Sequence, residues 1–218
     1  GADLLLALSF RPMKAHNIEN LLVLPPLLRK EVINLKSTEG GFFLAYMVNP
    51  GYAEEVIKEA VDNPEIKIEA FWDKKDEAKI QWPLPNLTFH QVDDVLFLQK
   101  MAACKGLLST AGFESVCEAM YLGKHVLMVP VAGQYEQACN ALDAQISGVG
   151  TIADKFDVRK LKSALVNSAS QKEKNRDWVD SFQTRFGYAL QSFQKENKED
   201  FPYLEFGDRT NPIGPSFS

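Results

Sequence analysis

The sequence predicts an α/β fold built on a doubly wound, mostly parallel sheet. Three observations carry this. Strand-like apolar runs alternate with amphipathic segments at least five times along the 218 residues, the order that produces parallel sheets. The runs "FFLAYMV", "GLLST" and "HVLMVPV" are continuously apolar, as expected of strands covered on both faces. The chain is 45% hydrophobic and 24% charged, a composition that lets a domain of this size bury roughly 70% of its unfolded surface.

The elements follow in order. Residues 2–10, "ADLLLALSF", read as a short buried strand, and 11–38 as a connector made extended by Pro25 and Pro26. "FFLAYMV" (42–48) is a core strand. "NPGYAEEVIKEAV" supplies a turn and a helix whose early acidic residues suit the helix dipole. "EIKIEAFW" (65–72) is the next strand, "DKKDEAKIQWPLPN" a polar loop, and "LTFHQV" (87–92) a third strand. "DDVLFLQKMAACK" (93–105) fits a helix capped by an aspartate. "GLLST" (106–110) is a strand, followed by a helix that Gly123 ends. "HVLMVPV" (125–131) is the fifth strand, "QYEQACNALDAQIS" a helix and "GVGTIA" a last short strand. Two terminal helical segments and a loose tail, "DRTNPIGPSFS", complete the chain.

Composition narrows the function classes. A net charge of -5 argues against a nucleic-acid partner. The cysteines Cys104, Cys117 and Cys139 are odd in number and widely spaced, so they read as reduced thiols rather than a disulfide framework or zinc site. The histidines His16, His90 and His125 are too scattered for a metal centre, and Asp93-Asp94 reads as a helix cap, so the site is expected to be metal-independent. The longest apolar stretches fall far short of the ~20 residues that span a bilayer, and no signal peptide is recognisable. A cytoplasmic location is expected. Gly1, followed at once by a strand-like run, reads as a cut inside a longer protein.

In doubly wound sheets, ligands bind beyond the carboxyl ends of the strands, where the strand order reverses. That directs attention to residues 48–52, 90–98, 109–115 and 130–137. Gly51 precedes a helix, but the G-x-G-x-x-G fingerprint is absent, which disfavours a dinucleotide there. The 109–115 loop is richer. Thr110-Ala111-Gly112 is small enough for close approach of a ligand. The helix that follows turns its N–H groups and positive dipole end to the same place, which suits a diphosphate. Ser115 and Glu118 share a helix face. A carboxylate set that far along the helix suits a ribose diol better than a phosphate. Beyond Pro130, the residues Gln134, Glu136 and Gln137 add amide and carboxylate groups fit to orient a polyhydroxylated ligand.

Residues 109–141, "STAGFESVCEAMYLGKHVLMVPVAGQYEQACNA", resemble the donor-site region of GT-B glycosyltransferases. The likeness is to UDP-sugar transferases of the glycosyltransferase family 28 type, including the bacterial N-acetylglucosaminyltransferases of peptidoglycan-precursor synthesis. It runs in order over about 42–165. It rests on the small segment Ala111-Gly112, on Ser115 to Glu118, on Gly123, on the run to Pro130 and on Glu136-Gln137. This chain departs from the family pattern at Thr110, Phe113-Glu114 and His125.

The resemblance implies a Rossmann-like half of a GT-B fold with C-terminal crossing helices. Residues 1–38 would be strand and connector from a preceding domain, 39–168 the nucleotide-sugar domain, and 169–218 terminal helices and tail. It implies that Phe97 and Leu98 hold the base, that Thr110, Ala111 and Gly112 meet the diphosphate with Ser115 beside them, that Glu118 takes the ribose hydroxyls, and that Glu136 and Gln137 take the sugar. The donor is a UDP-sugar with no further cofactor. The acceptor, a sugar or a lipid-linked molecule, and the catalytic base belong to an N-terminal domain, so 1–218 alone would be inactive. Peripheral membrane association of the full-length protein follows from the same likeness. The aromatic set Trp178, Phe182, Phe186 and Tyr188 reads as packing against that other domain. The rival functions are a UDP-sugar epimerase or hydrolase of the same fold and a non-catalytic nucleotide-sugar-binding module.

Overall fold

The computed structural model describes residues 4–13, 20–47, 50–165 and 172–196. Its main body is a seven-stranded sheet. The strands are β3 (Phe42–Met47), β4 (Lys67–Trp72), β5 (Ile80–Leu84), β6 (Leu87–Gln91), β7 (Gly106–Ser109), β8 (His125–Met128) and β9 (Gly150–Ile152). They lie in the order β5-β6-β4-β3-β7-β8-β9, with every neighbouring pair parallel except β5 and β6. Counted along the chain, the six parallel strands read 3-2-1-4-5-6. That is the doubly wound order of nucleotide-binding folds, and it places the reversal between β3 and β7.

The connecting helices are α2 (Ala53–Asp62), α3 (Asp94–Ala103), α4 (Phe113–Tyr121), α5 (Tyr135–Ile146) and α6 (Val158–Ala164). Each strand sends alternate side chains to the two faces. Leu44, Phe71, Leu107 and Val126 join Met101, Val116 and Met120 in one core. Phe43, Ile68, Leu108 and Leu127 join Val56, Phe156 and Leu161 in the other. With helices on both faces, no polar alternation survives along β7 or β8, every residue of which is buried. Asp93 caps α3 by accepting from the Leu96 N–H over 2.8 Å, and Gly123, at φ +72°, ends α4.

Three segments depart from expectation. Residues 11–38 are more than a connector. They hold β2 (Leu21–Leu24), which pairs in parallel with β1 (Leu5–Leu8) as a separate two-stranded sheet, and the single turn α1 (Lys30–Ile33). Pro25 and Pro26 do enforce an extended chain, but β2 ends ahead of them. β1 is not buried: Leu5, Leu6 and Leu8 are each more than 40% exposed. The polar loop after β4 contains β5, an antiparallel edge strand. An edge position tolerates Pro83, whose missing N–H would break an inner ladder. The fifth strand stops at Met128, short of Pro130.

The terminal helical segment is broken at Ser181 into α7 (Lys172–Asp180) and α8 (Phe182–Glu196). The chain divides into a unit of residues 1–182 and a second unit beginning at Gln183, within α8. Trp178 does not await another domain. It is buried, and its indole N–H donates to the Ser9 carbonyl over 2.9 Å. The tail 208–218 lies outside the described residues.

Candidate functional site

At the carboxyl end of β7 the chain turns sharply. Ala111 sits at φ 64°, a left-handed value rare outside glycine, and is fully buried. Gly112 follows as the exposed N-cap of α4 and offers no side chain to the helix end. Ser115 turns back to donate to the Gly112 carbonyl over 3.2 Å. Thr110, half-buried, completes an elbow beside the β3/β7 reversal, with the first N–H groups of α4 open there.

The loop after β8 lies on the neighbouring strand. Val131 donates its N–H to Gln137 Oε1 over 2.9 Å, so Gln137 fixes the loop through its carbonyl. Glu136 is exposed in the first turn of α5. Asn140 ties the two loops by donating to the Ala111 carbonyl over 3.3 Å. The structure thus gathers Thr110, Ala111, Gly112 and Ser115 at one strand end, with Glu136 and Gln137 at the next. The loop after β3 includes Val48 and Asn49, which lie outside the described residues.

Glu118 departs from expectation. Rather than standing open in a cleft, it is 1% exposed. Its Oε1 accepts from Arg29 Nε over 2.5 Å. The cause lies in the connector, which brings α1 against α4 and lays the Arg29 side chain, about a third exposed, across the carboxylate. Burial pushes the Glu118 carboxyl above its ordinary value, and the Arg29 hydrogen bond offsets only part of that. The same bond raises the Arg29 guanidinium against the opposing effect of burial, with Glu114 and Asp94 adding further negative potential. Tyr46, at the carboxyl end of β3, is half-buried; burial raises its phenol, and Asp94 and Glu118 add to the effect.

Phe97 also differs from expectation. Its ring is 5% exposed. It packs against Tyr46 at 4.5 Å and Phe71 at 5.4 Å. Its N–H is spent on the Asp93 carbonyl at 2.8 Å. Neither ring nor N–H is presented to a base, because α3 turns this position inward. Leu98, one residue on and equally buried, borders a groove of roughly 270 Å³ together with Arg29, Glu31, Leu35 and Asp94. Arg29, Asn140 and Tyr46 were not found by sequence reasoning. Only the Asn in "EQACNA", one helical turn past Gln137, left a signal.

Three further polar groupings lie away from the elbow. Glu69 Oε2 meets His90 Nε2 at 3.0 Å and Lys100 Nζ at 2.6 Å between the sheet and α3. Buried Lys124 donates to the carbonyls of Thr38 and Cys104, over 2.5 and 2.7 Å. His125, at the opposite end of β8 from the site, meets the Thr151 hydroxyl at 2.9 Å. Among the described residues no group of three or more His, Cys, Asp or Glu could hold a metal. No helix among them is long and apolar enough to cross a membrane.

Solved structures share this architecture. The glycotransferase of kitacinnamycin matches with a TM-score of 0.56 at 13% identity, over 83% of this chain and 49% of its own. The calicheamicin glycosyltransferase CalG4 matches at 0.55 and 16% identity, over 87% and 49%. LpCGTa, solved in complex with UDP, matches at 0.53 and 14%, over 80% and 48%. At these identities the likeness is one of fold, and the chain spans about half the length of each. No match is found among curated proteins. The glycosyl transferase family 1 model aligns with residues 2–168, more than half of the 218, and so the chain belongs to glycosyl transferase family 1.

Proposed function

We propose that this chain is the donor-binding half of a GT-B glycosyltransferase, holding a UDP-sugar at the β3/β7 reversal. The observation that carries the reading is the elbow. A left-handed Ala111, an uncapped Gly112 and the N-terminus of α4 sit together where the strand order turns. Backbone N–H groups and the helix dipole there meet a diphosphate without a metal ion. Glu118, further along the same helix, accepts from the ribose diol, and Glu136 and Gln137 face the sugar. Phe97 is not assigned to the base, and Leu98 serves only as groove wall. The UDP complex of LpCGTa, a structure of the same fold, supports the choice of nucleotide.

In this reading a second α/β domain supplies the acceptor site and the catalytic base, and the acceptor is a sugar or a lipid-linked molecule. A cytoplasmic setting goes with three cysteines that form no disulfide. The test is titration of UDP into the 218-residue chain, followed by product analysis of the full-length protein with UDP-N-acetylglucosamine. The expected results are weak UDP binding without transfer by the chain alone, and a new glycosidic product from the full-length protein. Release of free or epimerised sugar alone would assign the fold to hydrolysis or epimerisation instead.

A further inference from the structure

We propose that Arg29 is a latch over Glu118, which a nucleotide-sugar must displace before its ribose can reach the carboxylate. The inference rests on the donor-site reading above and extends it to the connector. Three observations support it.

The first is coverage. Glu118 is 2% exposed at its side chain, while Arg29 above it is 32% exposed. A hydroxyl approaching Oε1 meets the guanidinium first. The second is the exchange itself. A ribose diol brings two O–H donors to a carboxylate, replacing one charge-assisted N–H bond. The buried carboxylate is therefore never left without a donor, which is the costly outcome. The third is a place for the displaced side chain. The groove beside Arg29 is bordered by Glu31 of α1 and Asp94 of α3, and Glu114 of α4 also acts on the guanidinium. A guanidinium leaving Glu118 enters a field of carboxylates and water. Because Arg29 precedes α1 directly, donor binding and the connector's position become one equilibrium.

A ligand that binds only the unlatched form has its apparent affinity reduced by the fraction unlatched. Removing the latch raises that fraction to one, so Arg29→Gln should bind UDP about three- to tenfold tighter than the parent chain at pH 8.5. The second readout is pH dependence. Glu118 is faced by Arg29 from the connector, Asp94 from α3, Glu114 on its own helix and Tyr46 from β3. Of these only Arg29 favours the charged carboxylate. Without it Glu118 takes up a proton at higher pH, and a protonated carboxyl accepts poorly. The affinity advantage of Arg29→Gln should shrink as pH is lowered toward 5.5, whereas Arg29→Lys should restore parent-like behaviour. Calorimetric titration of UDP at both pH values, with thermal melts of each variant, reads all of this. Unchanged or weaker UDP binding by folded Arg29→Gln at pH 8.5, while Glu118→Ala loses binding, would overturn the latch and leave the donor site standing. If Glu118→Ala also binds UDP as the parent does, the donor reading itself fails and the latch with it.

Discussion

Asp143 on α5 and Trp178 on α7 both hold Ser9, and Asp143 holds the next two residues as well. Asp143 accepts from the Ser9 hydroxyl at 2.7 Å, the Phe10 N–H at 3.1 Å and Arg11 Nε at 3.0 Å. Trp178 donates to the Ser9 carbonyl. Between them Phe10 is 1% exposed, its ring 4.9 Å from that of Phe113 at the start of α4.

This grip should be measurable. Asp143→Ala strands three donors, and Trp178→Phe strands one buried carbonyl. Leaving a buried polar group without its partner costs about 1–3 kcal/mol. Both variants should unfold at lower urea concentration than the parent, and Asp143→Ala should lose more. Melting curves that superimpose on the parent's would show that the chain start contributes nothing to stability.

Glu118 bears on binding and stability together. Glu118→Gln keeps the shape but loses the charge, and Glu118→Ala loses both. A carboxylate's hydrogen bonds are worth about 1.5–3 kcal/mol each, so UDP affinity should fall roughly tenfold or more. Stability should fall as well, because the ion pair with Arg29 goes. The loss should stay near 1–3 kcal/mol, since Arg29 keeps access to water. Calorimetry with UDP and urea melts on the same preparations separate the two effects.

Two glycines should respond differently to alanine. A Cβ on Gly150 would lie 2.7 Å from the Val126 carbonyl oxygen, which is fixed in the β8 ladder, and 2.5 Å from Met128 Cε. Overpacking of that kind costs about 1–3 kcal/mol or more. Gly133 stands at φ +81° with nothing within 4 Å of a Cβ. Gly133→Ala meets only the left-handed backbone penalty of roughly 1–2 kcal/mol. Equal destabilisation of the two in parallel melts would contradict the packing at β9.

Half-buried Glu69 and buried Glu118 should give stability opposite slopes in acid. At Glu69 burial pushes the carboxyl up, but the hydrogen bonds from His90 and Lys100 outweigh it and hold the group below its ordinary 4.5. A lowered carboxyl stabilises the fold above 4.5, and that contribution is lost as pH falls through the lowered value. Glu118 is raised, chiefly by burial. Its folded form keeps a proton that the unfolded chain has released, so its contribution weakens as pH climbs from 4.5 through the raised value. Melting temperature followed across this range should lose its acid-side drop in Glu69→Gln and decline less with rising pH in Glu118→Gln. The reverse pattern would invert both assignments.

What could be read from residues alone follows a physical line. The inner strands and their helices are local patterns. The Asp93 cap, the Gly123 stop and the apolar runs of β7 and β8 each signal within a few neighbours. The elbow was legible for the same reason, since small residues between a strand and a helix are a local sign. The Arg29–Glu118 pair spans 89 residues, and no periodicity in "LLRKEV" marks the arginine as a partner. Nor could pairing of β1 with β2 be read from two leucine-rich runs without knowing that the chain folds back between them. Phe97 and Leu98 are equally apolar and both are buried, so only the packing of α3 decides which side chain meets Tyr46 and which borders the groove.

The edges of the sheet bear on how copies of the protein behave toward one another. An open β edge is a template on which another chain can add a strand. On one side β5 runs against the direction of its neighbours, its register with β6 slips between Gln81 and Leu84, and Pro83 has no N–H to offer. On the other side β9 is only three residues long. Neither edge gives an incoming strand a ladder worth extending. Among the described residues the β1–β2 ribbon exposes leucines on both strands. Self-association of this chain at high concentration should therefore begin at β1 and β2 and leave the large sheet intact.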